Sequence, residues 1–119
     1  GTSLGGARPK AGVADPGGCL WIAKFPSRRD ERDHAAWELV AHDLARAAGA
    51  RVAAAAVKSL SKGRRTFLTR RFDRTASGAR VHFASAMTML GRADGEGASY
   101  LDLVEFLVKH GSSPDADCE

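Results

Sequence analysis

Long apolar runs are missing from this sequence of 119 residues. None approaches the roughly 20 residues of a membrane-spanning helix, and the N-terminus lacks the basic-then-apolar pattern of a secretion signal, so a cytoplasmic protein without a membrane partner is expected. Cysteine is nearly absent. Cys19 and Cys118 have neither the number nor the spacing of a disulfide framework or a zinc site, and both are expected as free thiols. Aromatic residues make up 7% of the chain. Only Phe67 and Phe72 lie in the basic stretch, which argues against a single-strand nucleic-acid groove, where several stacking rings alternate with cations. His34 and His42 fall two helical turns apart rather than at the i, i+4 spacing of a metal pair, which argues against a metal enzyme. There is no Walker A or G-x-G-x-x-G pattern, no internal repeat and no low-complexity tract.

Hydrophobic residues at 44% and charged residues at 27% are ordinary globular values. The length suits one compact domain, so residues 1–119 are expected to fold as a single unit. The net charge of +4 is carried partly by short runs, Arg28-Arg29, Arg64-Arg65 and Arg70-Arg71 with Arg74. Such a surface suits an anionic ligand, or is simply solvated. The chain opens without Met, and Ser113-Pro114-Asp115 reads as N-cap, first-turn proline and acid of a helix with no room to run, so both ends are expected to be artificial.

Residues 1–4 and 11–14 read as a hairpin around a wide loop of small residues. Asp15-Pro16-Gly17-Gly18 is a turn. Residues 19–25 are β-prone and stop at Pro26, with Leu20, Ile22 and Lys24 on one face and Trp21, Ala23 and Phe25 on the other. Helical spacing over residues 34–48, with Asp33 as N-cap and Gly49 as stop, predicts a helix burying Trp37, Val40, Ala41, Leu44 and Ala48. Residues 51–60 and 66–72 predict a second hairpin around Ser61-Lys62-Gly63, although the alanine run 53–56 suits a helix equally well. Two helices follow. One covers residues 84–90, and the other is capped by Ser99 and carries Tyr100, Leu103, Val104, Leu107 and Val108 on one face. The expected fold is α+β: a five-stranded, mostly antiparallel sheet with the 34–48 helix packed on it and two further helices beside it, the element order of a protein-kinase small lobe.

Gly5, Gly6 and Ala7 would let backbone N–H groups approach phosphates closely, because little side chain blocks them. Ile22-Ala23-Lys24 is similar to the kinase V-A-I-K element, whose lysine holds phosphates from the inner face of the sheet. Such a lysine needs an acidic partner, and Glu38 on the following helix is placed to provide one.

The runs Ser3-Leu4-Gly5-Gly6-Ala7-Arg8-Pro9-Lys10-Ala11, Trp21-Ile22-Ala23-Lys24-Phe25-Pro26, Trp37-Glu38, Arg71-Phe72-Asp73-Arg74 and Ser99-Tyr100-Leu101-Asp102-Leu103 resemble, in order and spacing, the HipA family of kinases. The resemblance covers nearly the whole chain. It implies a kinase-like fold that phosphorylates protein serine and threonine with ATP and Mg²⁺, causes growth arrest or persistence, and is restrained by a small DNA-binding, HipB-like antitoxin through which DNA would be met only indirectly. Carried over by residue, Gly5, Gly6, Ala7, Arg8 and Lys10 form the phosphate loop, and Ile22, Lys24 and Glu38 belong to the ATP-lysine element. The adenine hinge runs from Arg70 to Asp73, with the backbone of Arg70 and Phe72 on the base and Asp73 facing the ribose. Ser3 falls where some members autophosphorylate. The catalytic and metal-binding Asp and Asn residues are expected in a large lobe absent from this chain, so the fragment is expected to be inactive and to hold no metal through its own residues. The alternative is a non-catalytic basic module that contacts nucleic acid or an antitoxin protein.

Overall fold

The computed structural model describes residues 8–61, 63–93 and 95–118. The chain divides into two compact units, Gly1–Val81 and His82–Glu119.

In the first unit, β1 (Lys10–Ala14) and β2 (Leu20–Lys24) form an antiparallel hairpin. Asp15 builds its turn: Oδ1 accepts the N–H of Gly17 at 2.9 Å and of Cys19 at 3.0 Å, and Oδ2 accepts the Trp21 indole N–H at 3.0 Å. Gly18 sits at φ 81°, a left-handed conformation that suits glycine. Helix α1 (His34–Ala47) follows, and the carboxylate of its N-cap Asp33 accepts the Ala36 N–H at 3.0 Å. β3 (Ala55–Ser61) and β4 (Arg64–Arg70) make a second antiparallel hairpin, which joins the first through β2 and β4 to give the order β1-β2-β4-β3. Central β4 supplies the most buried segment. Thr66 and Phe67 are 1% and 5% exposed, with Ala23 and Ala35 completing a small core.

Several expectations need correction. The described residues contain four of the five expected strands, and the remaining one, expected at residues 1–4, falls outside the described residues. The second hairpin starts later and ends earlier than predicted. Its alanine run is not helical, since Ala55 and Ala56 pair with Thr69 and Leu68. β4 offers these residues a ladder of backbone partners, and tertiary pairing overrides alanine's weak local preference.

The apolar stripe expected to be buried on α1 is largely uncovered: Trp37, Val40 and Leu44 are 63%, 47% and 66% exposed. The helix instead turns its more buried side, Ala35, Leu39 and His42, inward as it packs on β3 and β4. Two polar ties set this roll. His42 Nε2 donates to the Ala53 carbonyl at 2.7 Å, and Glu38 accepts from Lys24 at 2.5 Å. Glu38 and His42 stand one turn apart on the same side, so both ties pull the same face onto the sheet.

The second unit holds α2 (Ala86–Met89), α3 (Tyr100–His110) and α4 (Pro114–Cys118), and α2 is shorter than the predicted 84–90. A capping box starts α3: Ser99 Oγ accepts the Asp102 N–H at 3.2 Å, and the Asp102 carboxylate accepts the Ser99 N–H at 2.7 Å. Leu103, Phe106 and Leu107 are half-buried, whereas Tyr100, Val104 and Val108, predicted on the covered face, are exposed. No described residue of this unit is buried. Among the described residues no helix is long and apolar enough to cross a membrane.

Candidate functional site

Lys24 is the last residue of β2, and strand alternation sets it on the same face as Ile22. Its ammonium donates to Glu38 Oε2 at 2.5 Å, the pairing expected from the sequence, and lies 5.4 Å from the centre of the Phe67 ring. Phe67 stands directly opposite Lys24 across the β2–β4 pair, so the ring supports the lysine stem from the same face. Lys10 stands directly opposite Lys24 across the β1–β2 pair.

Lys24 and Glu38 line a cleft of about 170 Å³ that also takes in Arg8 and the segment leading into α1. Its cations Arg8, Lys24, Arg32, Arg64 and Arg65 outnumber its acids Asp30, Asp33 and Glu38. Most of these charges are partnered. Arg8 forms two hydrogen bonds to Asp30, at 2.9 and 2.6 Å, and Arg65 Nε lies 2.7 Å from Asp33 Oδ2. Arg64 donates to the Ser27 carbonyl at 2.9 Å. Asp30 is held below its ordinary value of 3.8, first by the hydrogen bond from Arg8 and then by the Ser27 N–H, with partial desolvation opposing. Among the described residues no three His, Cys, Asp or Glu side chains converge to hold a metal ion.

The predicted hinge lies at the end of β4. The Arg70 N–H donates to the Ala54 carbonyl at 2.8 Å and the Arg71 N–H to the Leu20 carbonyl at 2.9 Å, so the chain is clamped between β2 and the start of β3. Phe72 is 66% exposed. Asp73 is buried, and its carboxylate is engaged by guanidinium groups rather than presented to a ligand: Arg71 donates at 2.7 and 2.5 Å and Arg74 at 2.6 Å. Its carbonyl accepts from Arg74 at 2.6 Å and from the Val81 N–H at 3.0 Å. Asp73 thus organises the turn that follows β4.

The Arg71 hydrogen bond, helped by the charges of Arg71 and Arg74, holds the Asp73 carboxyl at about 2 against an ordinary 3.8. An acid depressed in this way stabilises the fold above its unfolded value, and that contribution is lost as pH falls through the folded value. Asp73→Asn is expected to flatten the acid limb of the melting-temperature curve between about pH 4 and pH 2. The remaining slope comes from Asp15, Asp30 and Asp102, which are also lowered. Circular-dichroism melts of both proteins across that range test this, and superimposable acid limbs would contradict it.

The structure brings Arg8, Lys24 and Glu38 into one cleft and sets Lys10 beside Lys24, while Ile22, Arg70, Phe72 and Asp73 lie outside that cleft's lining. Gly5, Gly6, Ala7 and the phosphorylation candidate Ser3 fall outside the described residues. Sequence reasoning missed Phe67 as the support of Lys24 and Asp30 as the partner of Arg8. Phe67 carried a signal as an aromatic in a β-prone run, whereas Asp30 sat in a polar loop with none.

A small antiparallel sheet with a strand lysine ion-paired to the glutamate of the adjoining helix, beside a cleft richer in cations than acids, defines an α+β domain. The chain belongs to the HipA family: residues 2–119 match the HipA-like C-terminal domain. No curated protein and no solved structure gives a match.

Proposed function

We propose that the chain is the ATP-binding portion of a HipA-like serine/threonine protein kinase, the toxin of a toxin–antitoxin pair linked to growth arrest. The Lys24–Glu38 ion pair at 2.5 Å carries the reading, because it fixes a strand cation where a phosphate ligand needs one. In this reading the small-lobe face of the sheet covers the nucleotide. Lys24, Lys10 and Arg8 take the phosphates, with the N–H groups of Gly5, Gly6 and Ala7. Ile22 gives the base an apolar surface, the backbone of Arg70 and Phe72 meets its edge, and Asp73 acts by holding the turn behind them. Mg²⁺ would neutralise charge on the triphosphate. A HipB-like antitoxin and a protein substrate would be the partners, in the cytoplasm.

Phosphoryl transfer is mostly positioning plus charge neutralisation, and this chain offers one side of the site. Isothermal titration with ATP and Mg²⁺ is expected to give millimolar or weaker affinity, about 4 kcal/mol at most. A radiolabelled-phosphate assay is expected to show no transfer. Sub-micromolar binding, or phosphorylation of Ser3 by the chain alone, would contradict this division of labour. The uncovered α1 stripe of Trp37, Val40 and Leu44 supports the alternative of a protein-binding module, and the two readings part on whether ATP binds at all.

A further inference from the structure

We propose that Asp30 is a positioning residue for phosphate recognition, holding Arg8 so that its guanidinium meets a phosphate ligand already oriented. The proposal rests on the nucleotide reading above. Arg8 directly follows the small residues Gly5, Gly6 and Ala7. Its next neighbour, Pro9, is already tied into the hairpin, since its carbonyl accepts the Phe25 N–H at 2.9 Å. The Arg8 side chain then spans to Asp30, in the segment that joins Lys24 to α1, and makes a two-pronged pair at 2.9 and 2.6 Å.

Asp30 is itself fixed. Its Oδ2 accepts the Ser27 N–H at 2.8 Å, its own N–H donates to the Ser27 carbonyl at 3.2 Å, and that carbonyl also receives Arg64 at 2.9 Å. His34 Nε2 lies 4.0 Å from the other carboxylate oxygen. The Asp30 side chain is 13% exposed and that of Arg8 31%, and both line the cleft. A guanidinium carries five N–H donors, and a two-pronged pair uses two of them. A phosphate would be met by donors that do not face Asp30. An arginine held in this way loses less conformational freedom on binding than one that must be immobilised at that moment.

The test is a titration of the whole chain with tripolyphosphate, ATP and adenosine at constant ionic strength, followed by NMR, for the wild type, Asp30→Asn, Arg8→Ala and the double variant. Asp30→Asn is close to isosteric, and an unchanged spectrum away from the cleft confirms that it folds. It is expected to weaken tripolyphosphate and ATP by about threefold to tenfold, the cost of immobilising a long side chain, and to leave adenosine unchanged. Arg8→Ala is expected to weaken the same two ligands at least as much, and adding Asp30→Asn to it should change nothing further. Unchanged or tighter phosphate binding in Asp30→Asn, or a loss that persists undiminished without Arg8, would overturn the proposal and leave the nucleotide reading standing. A wild type that binds neither ATP nor tripolyphosphate would overturn that reading, and the proposal with it.

Discussion

Lys24→Met is expected to weaken ATP binding by at least about tenfold and to leave the fold intact, because hydrogen bonds to charged groups contribute roughly 1.5–3 kcal/mol. Methionine preserves the length of the stem that lies against Phe67 and removes only the charge and its donors. The loss of fold stability should be small. Lys24 and Glu38 are 35% and 31% exposed, so a Glu38 left without its partner stays hydrated. Glu38→Gln should weaken binding less, since the lysine keeps its charge and loses only its fixed position. NMR titration of the three proteins with ATP reads the order directly. If Lys24→Met binds ATP as the wild type does, Lys24 is not a phosphate ligand.

Phe67→Ala is expected to cost about 3–5 kcal/mol of stability, the usual range for deleting a buried phenylalanine. That is a large share of the roughly 5–15 kcal/mol that holds a typical domain together. Phe67 is 5% exposed on the central strand, flanked by Lys24 on β2 and Val57 on β3, and is the only large apolar side chain among the described residues that is buried. Few neighbours can collapse into the space it would leave. Phe67→Leu should lose much less, because most of the volume is retained. Urea unfolding followed by circular dichroism measures both, and an unchanged midpoint for Phe67→Ala would show that this small core is not what holds the sheet.

The elements around the site were legible because their signals are local. Alternation from Leu20 to Lys24 set the lysine on the face of Ile22, the Asp33 cap and helical spacing placed α1 after it, and Glu38 could be chosen as the partner from that succession. The roll of α1 was not legible. Hydrophobicity puts Trp37 and Leu44 inside, but the helix is also held by the bond from His42 to the carbonyl of Ala53, 11 residues away, of which sequence spacing carries no trace. The Arg8–Asp30 pair joins residues 22 apart through a loop without periodicity, and was invisible for the same reason. Asp73 shows a third case. The run Arg71-Phe72-Asp73-Arg74 is conspicuous in the sequence, yet whether the acid faces a ligand or its own arginines depends on the turn, and the structure turns it to Arg71 and Arg74.

The central claim, that the Lys24 face of the sheet holds ATP, is tested most directly by mapping backbone amide shifts of the isotope-labelled chain during titration with ATP and Mg²⁺. The account predicts shifts concentrated at Lys10, Ile22, Lys24 and the segment from Arg70 to Phe72, with the Lys10 and Lys24 shifts reproduced by tripolyphosphate and not by adenosine. Shifts confined to the outer face of α1 or to the scattered arginines Arg28 and Arg29, or no shift at any attainable nucleotide concentration, would contradict it.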